Sequence, residues 1–125
     1  MTTLRLALIA GAMLTATAAS AGPAAPPSAP PSTWARCAVC HSNAKGAPDK
    51  IGPNLYGVYG HKMGVKGTYK FSDALKKSGL KLDDATLDKW LENPAKLVPG
   101  NRMSFPGLKD PAKRAELIAY LKTLK

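Results

Sequence analysis

Cysteines and strand-forming patterns are scarce in this sequence, which narrows the chemistry available to it. The chain has two cysteines in 125 residues. Two thiols are too few for a four-cysteine iron–sulfur cluster or a Cys-rich metal site, and they leave no cysteine for a further disulfide. Runs of alternating apolar and polar residues are missing as well, and the helical periodicity described below predicts an all-α fold.

Aromatic and acidic residues are also few. Phe, Trp and Tyr make up 6% of the chain. A domain this small buries little apolar surface, so a bulky apolar cofactor at its centre would add to its stability. Asp and Glu number 8 against 18 Lys and Arg. Such a basic protein is attracted to acidic partners, although a merely solvated, soluble surface explains the lysines equally well.

The strongest motif is Cys37-Ala38-Val39-Cys40-His41. Two thiols three positions apart, followed at once by an imidazole, form the attachment signature of c-type haem. The thiols of Cys37 and Cys40 can each add to one haem vinyl group, which makes two thioether bonds. His41 is placed to reach the iron from one face of the ring. The motif therefore predicts a single covalent haem c whose iron is bound by His41.

Three other interpretations of the motif remain open. A Cys-x-x-Cys pair can be a thioredoxin-like redox couple, but that motif accompanies a βαβ pattern, which is missing here. A closed zinc site needs four ligands, and only His41 and His61 could join the two thiols. The pair could also form a small structural disulfide.

Residues 1–21 are predicted to be an export signal. A single Arg5 precedes an apolar run over 6–18, and Ala19-Ser20-Ala21 is a small-x-small cleavage pattern. The apolar run is short for a membrane-spanning helix, which needs about 20 residues, so an uncleaved membrane anchor is the less favoured alternative. We therefore expect a periplasmic protein. Export, and the lack of any nucleic-acid-binding motif, argue against nucleic acid as a partner.

Residues 22–31 are predicted to be an extended, solvated linker or loose tail, because Pro fixes φ and lacks an N–H. Residues 32–125 then form one domain. Without Arg5 the exported chain keeps 17 basic and 8 acidic residues, a formal net charge of +9.

Helix signals follow the motif, separated by loops rich in Gly and Pro. Ser72 can cap a helix that Gly79 ends, and the Asp110-Pro111 pair is a cap followed by Pro at the first helical position. The predicted helices are 72–78, from 83 or 84 to about 92, and one that begins at 110–111, with 95–109 as a loop.

The face of the iron opposite His41 needs a second ligand, for which Met103, Met63 and His61 are the candidates. Met103 lies in a Pro- and Gly-framed loop, and its soft, neutral thioether suits iron(II). We expect Met103 to be the ligand, Met63 to be a surface or gap-filling residue, and His61 to be a polar surface or propionate-side group. An open sixth position is the alternative. The Pro53 carbonyl could accept the His41 N–H, or Gly-Pro could be only a turn.

Several segments together resemble the class I cytochromes c, most closely the soluble mitochondrial and related bacterial carriers. The resemblance covers 34–125 in order and with matching spacings. It implies one haem with His41 and Met103 as axial ligands, a shuttle of single electrons between redox proteins, and docking through lysines near the haem edge. The segments are 37–41, Gly52-Pro53-Asn54-Leu55, Leu91-Glu92-Asn93-Pro94, Pro99-Gly100-x-x-Met103-x-Phe105 and Leu117-Ile118-Ala119-Tyr120-Leu121.

The sequence departs from that family at its N-terminal helix and around the haem propionates. Pro30 and Pro31 limit the helix to one or two turns, and Trp34 is predicted to pack on the last helix, near Tyr120. The positions of two usual propionate donors hold apolar residues, so we expect weaker propionate anchoring. The substituted positions are Phe71 for Tyr, Leu82 for Trp, His61 for Arg, Asn101 for Thr and Trp90 for Tyr.

These features predict a monomeric one-electron carrier and not an enzyme. Leu55, Trp90, Leu91 and Phe105 would keep water from the iron. The expected partners are acidic redox proteins such as an oxidase, a reductase or a dehydrogenase. A haem subunit of a larger oxidoreductase, or a haem enzyme or gas sensor with a labile sixth ligand, remain alternatives. Nearness in sequence nominates these docking groups: Lys45, Lys62, Lys96, Arg102 and Lys109.

Overall fold

A computed structural model describes residues 29–125, which contain five helices. The helices are α1 (Trp34–Ala38), α2 (Asp73–Lys77), α3 (Asp84–Glu92), α4 (Pro94–Leu97) and α5 (Pro111–Thr123). Within the described residues no strand is present, and one isolated antiparallel bridge joins Lys62 to Lys81. No helix in this part of the chain has the length and apolarity needed to cross a bilayer. The predicted export signal and most of the predicted linker lie outside the described residues.

Side-chain caps set the starts of the three helices that the sequence predicts. Ser72 accepts a hydrogen bond from the Leu75 amide at 3.1 Å at the start of α2. At α3 the cap is Asp83, whose carboxylate accepts from the amide of Thr86 at 2.9 Å. Asp110 accepts from two amides of α5, and Pro111 fits the first helical position because no partner is needed there for its missing N–H.

The prediction of a continuous loop from residue 95 is wrong, because α4 adds a further helical turn. Asn93 takes an extended backbone conformation that ends α3. Its side chain then accepts a hydrogen bond from the Lys96 amide at 3.1 Å, and Pro94 occupies the first helical position of α4. The same Asn-Pro pair that stops one helix therefore starts the next.

The core forms where α3 packs against α5. Leu87 and Leu91 of α3 are buried against Leu117, Ile118 and Leu121 of α5. Helix α1 adds Trp34, whose ring meets that of Tyr120 edge-on with the centroids 5.4 Å apart. The predicted contact between Trp34 and the last helix is confirmed, and with only five residues α1 is as short as the prolines imply.

Gly107 lets the loop that carries Met103 pass close to the end of α3. Its φ is +111°, and a Cβ built there would overlap the carbonyl oxygen of Glu92. One residue later, the Leu108 amide donates to the Leu91 carbonyl at 2.7 Å. The loop is thus tied to α3 by a contact that only glycine permits.

We expect Gly107→Ala to lower the free energy of unfolding by about 3 kcal/mol, because the substitution adds a clash with backbone to the strain of positive φ. Gly67→Ala is the matched control, since Gly67 has φ +81° and no atom within 4 Å of its built Cβ. The control should lose only about 1 kcal/mol. Urea unfolding of both haem-loaded variants, followed by circular dichroism, checks this. Equal losses would show that the close approach at Gly107 is not what matters.

Candidate cofactor site

A cavity opens between α3, α5 and the loops, and its wall is mainly apolar. It is lined by segments from every part of the described chain, from α1 through the loop after α4 to α5. All the side chains that the sequence predicts to bind the cofactor meet on this wall. They are Cys37, Cys40, His41, Pro53, Trp90, Met103 and Phe105.

The Cys-x-x-Cys-His segment reaches the cavity through the turn that ends α1. The amides of Cys40 and His41 both donate to the Cys37 carbonyl, at 3.0 and 2.9 Å. The Gly52 amide donates to the Cys40 carbonyl at 2.8 Å, which joins the segment to the loop that faces it. Both thiols are free and partly buried. Burial raises the pKa of the Cys37 thiol more than neighbouring Arg36 lowers it.

The imidazole of His41 is held on two sides. Its Nδ1 lies 2.7 Å from the carbonyl oxygen of Pro53. A carbonyl can only accept, so Nδ1 carries the proton and Nε2 keeps its lone pair. On the other side the ring packs against Gly52, where a built Cβ would come within 2.5 Å of Cε1. The arrangement fixes both the tautomer and the direction of the ring.

The environment favours a neutral imidazole. Burial holds the pKa of His41 below its ordinary value, and the charge of Lys50 adds to this effect. The hydrogen bond to Pro53 acts in the opposite direction but is the smaller influence. A neutral ring with a free Nε2 is the form of histidine that binds metal.

Met103 is presented by a loop that is heavily hydrogen-bonded. Its amide donates to the side-chain oxygen of Asn101 at 2.9 Å. The Asn101 amide group in turn donates to the carbonyls of Pro94 and Val98. The guanidinium of Arg102 donates to the Lys70 carbonyl at 2.5 Å. The Asn101 side chain thus holds its own loop together, and Arg102 joins that loop to the segment at Lys70.

The C-terminal end of the same loop is fastened by Arg114 of α5, which is 6% exposed. Its Nη1 donates to the carbonyls of Leu108 and Lys109, each at 2.9 Å, and its Nε lies 2.6 Å from a carboxylate oxygen of Asp88. That ion pair raises the pKa of Arg114 further above its already high value. Arg114 was not singled out by sequence reasoning, because its partners become neighbours only in the fold.

The other two candidates for the second ligand lie in different surroundings. Met63 is 3% exposed and also lines the cavity, so it fills the core and is not a surface residue. His61 is exposed and lies off the cavity wall. No group of three or more His, Cys, Asp or Glu side chains comes together within residues 29–125, which disfavours the zinc interpretation.

The five nominated docking groups lie in three different places. Lys62 and Arg102 line the cavity, whereas Lys45 does not. Lys96 and Lys109 lie instead around a different groove, beside α3 and α4. Nearness in sequence to cofactor-contacting segments was therefore a poor guide to nearness in space.

Two further cations on the cavity wall were missed by sequence reasoning. Arg36 lies with its guanidinium carbon 5.2 Å from the centre of the Phe105 ring, and Lys66 lines the wall beside Gly64. The position of Arg36 next to Cys37 was a usable signal. Lys66 offered none, because a lysine in a Gly-rich loop is ordinarily solvated.

The chain is similar to known proteins in both sequence and structure. Residues 32–125 match the family model described as cytochrome c. Cytochrome c2 of Rhodomicrobium vannielii is 41% identical over 123 residues, 98% of this chain and 97% of the relative. Cytochrome c2 of Rhodopila globiformis is 48% identical over 89 residues, 71% and 83% of the two chains. The solved structure of cytochrome cH from Methylobacterium extorquens is 50% identical, with a TM-score of 0.68, and the match covers 72% of this chain and 90% of that one.

The chain therefore belongs to the cytochrome c family, as the sequence motifs imply. It is an electron-transfer protein rather than an enzyme, with the small all-α fold of the class I cytochromes c and one covalently bound haem c. The cavity fits that group, because an apolar wall brings together two free thiols and an imidazole with a free Nε2.

We expect Gly52→Ala to lower the free energy of unfolding by about 1 to 3 kcal/mol, because the added methyl displaces the His41 ring or its Pro53 partner. Pro53→Ala is the control, since it removes the ring of Pro53 but keeps the carbonyl that accepts from His41. Urea unfolding of the haem-loaded variants measures the difference. If Gly52→Ala proved no more harmful than Pro53→Ala, the contact with the imidazole would not be a constraint.

Proposed function

We propose that the protein carries single electrons on its haem c, with His41 and Met103 as the two axial ligands of the iron. The observation that carries the proposal is the convergence of both thiols, the neutral His41 ring and the Met103 segment on one apolar cavity. When bound, the haem supplies a one-electron ferric–ferrous couple. Soft thioether ligation at Met103 favours the ferrous state and raises the reduction potential.

The protein's own residues act by holding and shielding. His41 keeps its direction through Pro53 and Gly52. Trp90 and Phe105, with the leucines beside them, exclude water from the cavity, and a low-dielectric surrounding favours the less charged iron. None of these residues needs to move or exchange a proton when the electron arrives.

The partners proposed are acidic redox proteins of the periplasm or membrane, such as an oxidase, a reductase or a dehydrogenase. The whole chain has 18 basic and 8 acidic residues, which supports electrostatic steering of an acidic surface. We also propose that residues 1–21 direct export and that the protein is a periplasmic monomer. An uncleaved signal that tethers the protein to the membrane is the less favoured alternative. Alignment with the Rhodomicrobium cytochrome c2 over 98% of this chain is consistent with a shared N-terminal segment.

A catalytic haem site would need an acid–base group beside the iron. Among the described residues that line the cavity, His41 is the one imidazole, and no Asp or Glu is present. This lack of a second acid–base group disfavours a haem enzyme. A gas sensor would differ from a carrier in having a labile sixth ligand. A subunit of a larger oxidoreductase would copurify with a large partner.

The ligand assignment predicts the outcome of Met103→Ala. We expect the haem to stay covalently attached through Cys37 and Cys40, while the ferric iron turns largely high-spin because the thioether is lost. The weak far-red ferric absorption band of thioether ligation should disappear with it. Absorption and electron paramagnetic resonance spectra of the purified variant check both.

Met63→Ala is the matched control, since Met63 is a second buried methionine on the same wall. It should cost about 2 to 4 kcal/mol of stability through the cavity it leaves, yet remain low-spin. If the spectra of the two variants were exchanged, the ligand would be Met63. A low-spin, unchanged spectrum for both would refute ligation by either methionine.

Electrostatic steering predicts that electron transfer with an acidic partner protein slows as salt is added. Between about 10 mM and about 0.5 M ionic strength we expect at least a tenfold fall in the second-order rate constant, because the screening length shortens several-fold over this range. Stopped-flow measurement with a neutral small reductant is the control and should be nearly flat. A flat profile with the acidic protein would remove docking by charge from the proposal.

A further inference from the structure

The cavity wall has charge of one sign. Arg36, Lys62, Lys66 and Arg102 line it, and no Asp or Glu does so within the described residues. Charged groups at the edge of an apolar cavity are unfavourable unless a partner compensates them. Haem c has an apolar ring and two carboxylates, so it is the complement of such a wall in both respects.

Each of the two arginines has a protein partner for part of its guanidinium. The guanidinium of Arg36 stacks over Phe105 with 5.2 Å to the ring centre, and Arg102 donates to the Lys70 carbonyl at 2.5 Å. The lysines differ. Within residues 29–125 no ion pair engages either of them, and Lys66 is half-buried whereas Lys62 is exposed. A cation on an apolar wall without a counter-charge among the described residues points to a ligand that supplies one.

Lys66 lies on the cavity wall in a loop rich in glycine. It lies between Gly64 and Gly67, whose φ values are +74° and +81°. Its aliphatic stem crosses Gly57, where a built Cβ would lie 3.3 Å from Cε and 3.6 Å from Nζ of the lysine. Because Gly57 has no side chain, the end of the Lys66 side chain can lie against the backbone there, while Lys66 itself lines the cavity.

Two of the neutral donors on the wall are engaged elsewhere. The Tyr69 hydroxyl donates to the Ile51 carbonyl at 2.6 Å, and the amide group of Asn101 serves two carbonyls of its own loop. Phe71 and Leu82 also line the cavity, and neither offers a hydrogen bond to a carboxylate. The two lysines are the cations on the wall whose ammonium groups make no ion pair within residues 29–125, so either can receive one.

We propose that the ammonium of Lys66 pairs with a haem propionate and positions it, with Lys62 supporting it from the exposed rim. Lys66 is a positioning residue, because it acts on the iron only through the charge and orientation of the cofactor's carboxylate. The proposal rests on the electron-carrier function proposed above. It assigns to the loop over 61–67 the part of anchoring that the apolar residues at 71 and 82 cannot supply.

The test is a redox titration at neutral pH and low ionic strength of the haem-loaded protein and three variants. Lys66→Met removes the ammonium and keeps the length of the stem, and Lys66→Arg keeps the charge. Lys113→Met is the matched control, since Lys113 is exposed on α5 and lies off the cavity wall. Each removal lowers the net charge equally, so only position separates the two methionine variants.

We expect Lys66→Met to lower the equilibrium constant for reduction about threefold to tenfold, because an ionised propionate without its counter-charge opposes the added electron. Lys66→Arg should stay within about twofold of the parent, and Lys113→Met should change it less than about twofold. Equal shifts for Lys66→Met and Lys113→Met would overturn the proposal.

The pH profile of the same constant gives a second readout. The ammonium lowers the pKa of the propionate, so its removal shifts the ionisation of that carboxyl to higher pH. The equilibrium constant for reduction falls as pH rises through the pKa of the propionate. In Lys66→Met this fall should occur at a pH closer to neutral than in the parent protein. Profiles that superimpose would refute the pairing. The charged and titratable protein groups facing the site are Arg36, His41, Lys62, Lys66, Tyr69 and Arg102.

The absorption spectrum of each variant separates this proposal from the function on which it rests. An unchanged low-spin spectrum together with no difference between Lys66→Met and Lys113→Met would reject the role of Lys66 alone. Loss of covalent haem or of low-spin ferric iron from the parent protein would instead reject the proposed carrier.

Discussion

The hydrogen bond from His41 to the Pro53 carbonyl is the constraint on which the candidate site depends. It assigns the proton to Nδ1 and leaves Nε2 free to face the cavity. Gly52, the residue before Pro53, supports the other face of the same ring. One dipeptide therefore determines tautomer, direction and packing. The bond from the Gly52 amide to the Cys40 carbonyl makes the thiol segment and this dipeptide one unit, so a shift in either would move the other.

Local signals were sufficient for most of the fold and for the centre of the site. Ser72, Asp83 and Asp110 each cap a helix by accepting a hydrogen bond from an amide two or three residues later. Because this signal is local, α2, α3 and α5 could be predicted from the sequence. The Cys-x-x-Cys-His spacing is likewise local, and it predicted the thiols and His41. Asn93 shows the limit of local signals, because this one residue both ends α3 and caps the start of α4. A sequence signal for the end of a helix was therefore not recognised as the start of the next.

The positions of several charged side chains could not be predicted from the sequence, because they depend on which loops meet in the fold. Lys96 and Lys109 are near cofactor-lining segments along the chain, yet α4 and the turn at Gly107 carry them to another face. Lys66 belongs to no motif, yet it lines the cavity, and the end of its side chain packs on Gly57. Arg114 finds its carbonyl partners only after the loop over 98–109 has closed. Burial and long-range contacts decide these placements, and they leave no periodic pattern in the sequence from which they could be predicted.

Tyr120 ties the two ends of the domain together, and this has a consequence for maturation. Its ring meets Trp34, and its hydroxyl accepts a hydrogen bond from Asn43 at 2.6 Å, a contact between residues 77 positions apart. Closing so long a loop is entropically costly and requires the last helix to be present. In a chain that emerges from a membrane N-terminus first, the thiols at 37 and 40 would thus stay reachable until α5 arrives.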